Sequence, residues 1–235
     1  VDYQGRRVTV TEGGGSNPLL YADLRLEIPA GVAVYVTNHL GRVTVRGVGS
    51  DIEVKTAAAD VAADDVAGRL KVKTGSGDTR VKGSAGLAVS TGSGDVVAAS
   101  VRGDVGISTG SGDVALDDVA GSLEVQTGSG DIEGRALREV ERLQVETGSG
   151  QVTLSLDAAK LAGGEVGAAS GDVDLSLASA TALTLSVSTA SGDIDTGGLA
   201  VTRVAKRTER RLEAEVKGGG APLRIHTASG DVRLR

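Results

Sequence analysis

A five-residue phrase, Thr-Gly-Ser-Gly-Asp, returns along most of this chain, and its spacing limits the possible folds more than any other feature. It stands at Thr74 to Asp78, Thr91 to Asp95, Thr109 to Asp113 and Thr127 to Asp131. It becomes Thr147-Gly148-Ser149-Gly150-Gln151, and reappears with Ala for the first Gly at Thr189 to Asp193 and Thr227 to Asp231. Weaker copies begin at Asn38, Thr56 and Ala168. The copies start at 38, 56, 74, 91, 109, 127, 147, 168, 189 and 227, giving steps of 18, 18, 17, 18, 18, 20, 21, 21 and 38. Such a period signals stacked units, each too small to bury its own apolar side. The final step, about twice 19, predicts a degenerate copy between 190 and 226.

Around each phrase the chain alternates with period two, the pattern of a strand. Leu70 and Val72, Leu87 and Val89, Val105 and Ile107, and Leu123 and Val125 precede it; Val114 and Leu116, Val152 and Leu154, and Val232 and Leu234 follow it. Each unit therefore reads as strand, Gly-Ser-Gly turn, strand and a second turn marked by Gly83, Gly103 or Gly121. Stacked in register, such units bury a continuous aliphatic column. The expected fold is an all-β, single-domain β-solenoid of about 10–11 rungs, 17–21 residues each, with two short strands per rung.

Composition agrees with a thin core. Phe, Trp, Met and Cys are absent and the three tyrosines, Tyr3, Tyr21 and Tyr35, lie in the first 35 residues, so the interior must come from Val, Leu, Ile, Ala and Thr. Residues 1–31 read as amino-terminal cap strands, with Val8 and Val10 in one strand, a loop at Gly13 to Gly15, and Leu24, Leu26 and Ile28 in a second strand ended by Pro29. Residues 32–196 read as the solenoid, 197–220 as an atypical hairpin insertion and 221–235 as a final rung.

Without cysteine there is no disulfide and no thiolate ligand or nucleophile. A net charge of -6 and the lack of aromatic platforms argue against nucleic acid as a partner. No run approaches the roughly 20 apolar residues of a membrane-spanning helix. A first residue other than Met fits export after leader removal and fits trimming equally.

Three polar features bear on function. The turn aspartates, among them Asp78, Asp95, Asp113 and Asp131, fall at one position of successive rungs, where aligned carboxylates repel by about 1 kcal/mol per pair in water. Hydrogen bonds from backbone N–H groups of their own turns are the expected compensation, with calcium as the alternative. The two histidines, His39 and His226, lie at opposite ends of the repeat and cannot share an intramolecular metal, although one of them with carboxylates, or a site between molecules, would suit copper. The Thr and Ser columns are expected to close the turns by hydrogen bonding, with a hydroxyl array for water or glycan as the alternative. Finally, Arg203, Lys206, Arg207, Arg210 and Arg211 form the one basic run on an acidic chain, the expected contact for a partner.

The chain resembles the bacterial adhesin-like family of β-strand-repeat proteins. The resemblance rests on Leu26-Glu27-Ile28-Pro29-Ala30-Gly31 and on the serial Thr-x-Ser-Gly-Asp turns as far as Val232; Gln151, Ala168 and the gap between 190 and 226 depart from the pattern. It implies a β-solenoid of bacterial exported or envelope proteins, extracytoplasmic or periplasmic. Bactofilin-like scaffolds stack similarly but lack the Ser-Gly-Asp series. The expected function is a non-enzymatic, adhesin-like structural or interaction protein, a rigid rod docking on an envelope protein or glycan, with self-association through end rungs a further option. No cofactor is expected. The alternatives are a copper-dependent, superoxide dismutase-like antioxidant enzyme, motivated by the histidines and the scarcity of oxidisable side chains, and a calcium-stabilised module using the Asp column.

Overall fold

The computed structural model describes residues 2–4, 7–11, 27–28, 31–178, 182–197 and 199–235. The chain is a single all-β domain, and no helix occurs among the described residues. It forms a β-solenoid of about eight turns, running through residues 31–178, with two shorter rungs beyond them. Each turn carries one strand before the Thr-x-Ser-Gly-Asp phrase and one after it, so that two parallel faces enclose a narrow core.

Register along the first face is unbroken through the middle of the rod. Leu70, Leu87, Val105, Leu123 and Leu143 stack on one another, as do Val72, Val89, Ile107, Val125 and Val145. The opposite face stacks Val96, Val114, Ile132, Val152 and Val173. All of these side chains are buried. At the strand spacing of about 4.8 Å, aliphatic side chains of adjacent rungs touch directly, and a larger ring would displace both neighbours. Where two large residues would collide the sequence supplies glycine. A Cβ on Gly134 would lie 2.8 Å from a methyl of Leu154 and 2.9 Å from one of Leu137.

The corner between faces needs glycine for two reasons. Gly130 has φ +150 and a Cβ there would lie 2.1 Å from the carbonyl oxygen of Gly112; Gly112 stands in the same way over Gly94, at 2.2 Å. The opposite corner also repeats. Gly47, Asp65, Gly83, Ser100, Asp118 and Ala136 each take positive φ at equivalent places, so the left-handed conformation belongs to the corner and is imposed on residues with side chains.

The rod departs from chain order at its carboxy-terminal end. The strand Gly163–Ser170 pairs with Ala221–Ser229, and Ala221–Ser229 pairs with Leu183–Ser191. On the other face Val173–Leu177 pairs with Val232–Leu234, which pairs with Ile194–Asp195. The final rung is thus inserted between the rung at 163–178 and the rung at 183–195. Among the described residues the degenerate copy anticipated between 190 and 226 is not found. That part of the chain holds Val201–Thr208 and Arg211–Val216, an antiparallel pair that adds to the first face beside Leu183–Ser191. The doubled step arises because the chain builds this edge before returning to fill the gap.

At the other end Arg7–Thr11 lies parallel to the start of Ala33–Val48, and Asp2–Gln4 lies antiparallel to Arg7–Thr11. The anticipated loop at Gly13 to Gly15 and the strand positions Leu24 and Leu26 fall outside the described residues, as do Tyr21 and Pro29.

Candidate interaction site

The turn aspartates form a continuous ladder. The Oδ1 of Asp60 accepts the N–H of Asp78 at 3.1 Å, Asp78 accepts that of Asp95 at 3.1 Å, Asp95 that of Asp113 at 2.9 Å, Asp113 that of Asp131 at 2.8 Å, and Asp131 that of Gln151 at 2.7 Å. Each carboxylate therefore serves the following rung, where the sequence had suggested its own turn. The stacked negative charges are held by dipoles of the neighbouring backbone, a charge-assisted arrangement that offsets their repulsion. Gln151 interrupts the series, and its side-chain amide donates to Asp174 at 3.0 Å. The ladder resumes in the inserted order, with Asp231 donating to Asp172 at 2.8 Å and Asp193 to Asp231 at 3.0 Å.

The threonines of the phrase are buried, and most of them close the turns, while the hydroxyl of Thr109 has no hydrogen-bond partner among the described residues. Thr74 donates to the carbonyl of Ser76 at 2.8 Å, and Thr147 and Thr227 donate to Gly130 and Gly171 of adjacent rungs at 3.1 and 3.0 Å. A hydroxyl array built on these threonines is ruled out by their burial.

His39 stands on the first turn and His226 on the inserted rung, and they are not brought together. The ring of His226 lies over Gly167, where a Cβ would approach its Cε1 to 2.5 Å, and its Nδ1 is 3.7 Å from Glu165. It borders a hollow of about 630 Å³ with Glu146, Ser188 and Ala190. Among the described residues no group of three or more His, Cys, Asp or Glu is placed to hold a metal ion, and Asp78, Asp95, Asp113 and Asp131 are instead spaced one per rung.

The basic run occupies the outermost pair of strands. Val201–Thr208 is the edge, exposed along nearly its whole length, and two bulges interrupt its pairing with Arg211–Val216. Leu212, Ala214 and Val216 of the inner strand face the core, but the opposite face ends at Asp195, so Val204 of the outer strand is left 48% exposed. Arg203 lies 3.7 Å from Glu215 and Arg211 3.0 Å from Glu213. Among the described residues Lys206, Arg207 and Arg210 have no carboxylate within ion-pair distance.

A residue that the sequence did not single out, Arg233, fixes the inserted rung. Its guanidinium donates to Asp172 at 3.0 Å and to Asp231 at 2.9 Å, with Asp174 at 3.7 Å. The backbone N–H of Asp231, and then Arg233, hold the Asp172 carboxyl below the usual carboxylate range, and Asp172 in turn raises Arg233. An ion pair with Arg102 similarly lowers Asp118 at the second corner. Arg233 was not recognisable in sequence because its partner Asp172 lies 61 positions away and becomes adjacent only through the insertion.

A family described as Toastrack DUF4097 matches residues 21–164 and again 158–235. The two matches meet where the regular second corner gives way to a loop holding Ala158 and Leu161. Comparisons with curated proteins and with solved structures return no match.

Proposed function

The chain belongs to the Toastrack DUF4097 family, and from that premise we propose that it is an adhesin-like structural and interaction protein of the bacterial cell envelope. The solenoid acts as a rigid spacer that presents its carboxy-terminal basic edge to an acidic protein or anionic glycan. One observation carries this reading: Lys206, Arg207 and Arg210 lie exposed without carboxylate partners among the described residues, on a chain whose net charge is -6. A clustered positive edge on an acidic body steers an anionic partner to one end of the rod. The resemblance of the repeats to bacterial β-strand-repeat proteins supports the envelope location. The arrangement of His39 and His226 lends no support to a copper-dependent activity.

A second reading is favoured by the two bulges in Val201–Thr208, since bulges and lysine or arginine are the usual means by which an edge strand is kept from pairing with another sheet. One experiment separates the two. The full chain and a variant carrying Arg207→Glu and Arg210→Glu are passed over immobilised heparin at low salt, and each is sized in solution. Retention of the full chain, lost in the variant while it stays monomeric, supports docking. Equal retention of both overturns it, and a variant that assembles into larger species supports the edge-guarding role.

A further inference from the structure

The inserted rung raises the question of how it reaches its place. Leu183 pairs with Val216 on one side and with Ala221 on the other, so the connection through Lys217 to Gly220 passes over the start of the strand between them. The incoming chain at Ala182 enters the same corner, and a Cβ on Gly220 would lie 2.3 Å from the carbonyl oxygen of Ala182. Thr184 Oγ1 accepts the N–H of Gly220 and donates to its carbonyl. Connections that cross at one edge of a sheet are rare in proteins. The strap is also strained, because Lys217 holds φ +50 where a side chain is disfavoured, and Gly218 and Gly219 follow at +90 and +81.

What the strap delivers is a rung with both sheet edges paired. Leu223, Ile225, Val232 and Leu234 are buried between two rungs. Gly171 donates its N–H to Ser229 at 2.8 Å and Gly230 donates to Ser191 at 2.9 Å. None of these contacts depends on the strap, and all would be made equally by residues 221–235 of a second molecule. Segments joined by a short strained hinge are the usual participants in exchange between copies.

We infer that residues 221–235 form an exchangeable rung, and that two copies of this chain associate by seating each other's final rung in the slot between 163–178 and 183–195. The hinge is Lys217 to Gly220. Within one molecule the tethered rung has an effective concentration in the millimolar range, so exchange is favoured when chains fold together at high concentration. The coupling is independent of the basic edge.

The absence of cysteine allows a direct test. Ser170 and Ser229 are register partners and both are exposed. Full-length Ser170→Cys and Ser229→Cys variants are unfolded together, refolded at high concentration and treated with a short bismaleimide. Ser93→Cys and Ser111→Cys, register partners within the middle of the rod, are treated in the same way as a control for random collision. The double variant Ser170→Cys with Ser229→Cys shows that the probe spans the pair by linking within one chain. Exchange predicts heterodimer in the first mixture severalfold above the control mixture. Equal yields in the two mixtures, with the double variant linking internally, would overturn the proposal. Deleting Gly218 to Gly220 leaves two residue steps between Val216 and Ala221, about 7 Å of reach against about 10 Å for two strand spacings. Made in the Ser170→Cys with Ser229→Cys background, that variant is expected to form cross-linked dimer in preference to monomer, and a folded monomer with its rung protected would contradict the inference.

Discussion

The middle of the rod and its carboxy-terminal end are built from the same unit but assembled differently. Between Val105 and Ser149 each strand pairs with the strand one turn before and one turn after it in sequence. Beyond Gly163 the order along the first face becomes Gly163–Ser170, Ala221–Ser229, Leu183–Ser191, Arg211–Val216 and Val201–Thr208. The comparison shows that the phrase Thr-x-Ser-Gly-Asp specifies a rung without specifying its neighbours. Every copy offers the same carbonyls, N–H groups and carboxylate to the turns above and below. In the middle, short connections settle the order by allowing one choice. At the end, longer connections release that constraint, and residues particular to those rungs decide it.

Substitution at the turn glycines should have the largest effect and the sharpest contrast between the two regions. Gly130→Ala places a Cβ 2.1 Å from the Gly112 carbonyl oxygen at φ +150 and should destabilise by about 3 kcal/mol, whereas Gly218→Ala meets nothing within 4 Å and should cost about 1 kcal/mol. Thermal unfolding of the two variants checks this. Equal losses would mean that glycine serves only as a flexible joint in both places.

Truncating a core side chain should reveal the order of rungs. Leu123→Ala and Leu223→Ala each remove a fully packed residue and should cost about 2–4 kcal/mol. Hydrogen exchange then distinguishes them. Leu123→Ala should loosen its neighbours in sequence, Val105–Ser111 and Arg142–Ser149, while Leu223→Ala should loosen Gly163–Ser170 and Leu183–Ser191 together and leave Arg211–Val216 less affected.

Much of this was legible in the sequence. Period-two alternation and the 17 to 21 residue step identified the solenoid because both report local geometry. The burial of Thr74 and Thr109 follows from the same alternation, whereas Ser76 and Ser111, two positions further on, face outward because the turn breaks it. The insertion was not legible, since repeats that are interchangeable in contact are interchangeable in sequence, and the step of 38 suits a missing rung as well as a displaced one. Gly164 is the one local clue. It stands in a column otherwise occupied by larger aliphatic residues such as Val105, Leu123 and Leu143, and a Cβ there would lie 3.0 Å from a methyl of Leu223, so it makes room for the inserted residue. The basic run was visible as charge, but its place on a bulged terminal edge depended on the pairing of Val201–Thr208 with Arg211–Val216.

Smaller effects test the polar ladder. Asp113→Ala strands the N–H of Asp131 and should cost about 1 kcal/mol, whereas Asp113→Asn keeps an acceptor, removes one of the stacked charges and should change stability by less than about 0.5 kcal/mol. Beside Arg233, Asp172 is held below its ordinary range in the folded chain, so its contribution is present above the unfolded carboxylate value, near 4, and is lost as pH falls through the folded one. The group is about one-third exposed, which keeps the contribution modest. Asp172→Asn should therefore lower the melting temperature slightly at pH 7 and flatten its fall below pH 4. At the second corner, Ala136→Gly should relieve a left-handed alanine and stabilise by about 0.5 kcal/mol, unless the corner is not left-handed.

The order of the last rungs can be measured directly by pairing cysteines in this cysteine-free chain. The inserted order places Ser229 between Ser170 and Ser191, in register with both. Disulfide formation within monomeric chains of the double variants Ser170→Cys with Ser229→Cys, and Ser191→Cys with Ser229→Cys, is the predicted result, with Ser170→Cys and Ser191→Cys remaining unlinked because a whole rung separates them. If Ser170→Cys links readily to Ser191→Cys and fails to link to Ser229→Cys, the rungs follow chain order and the inserted rung does not exist.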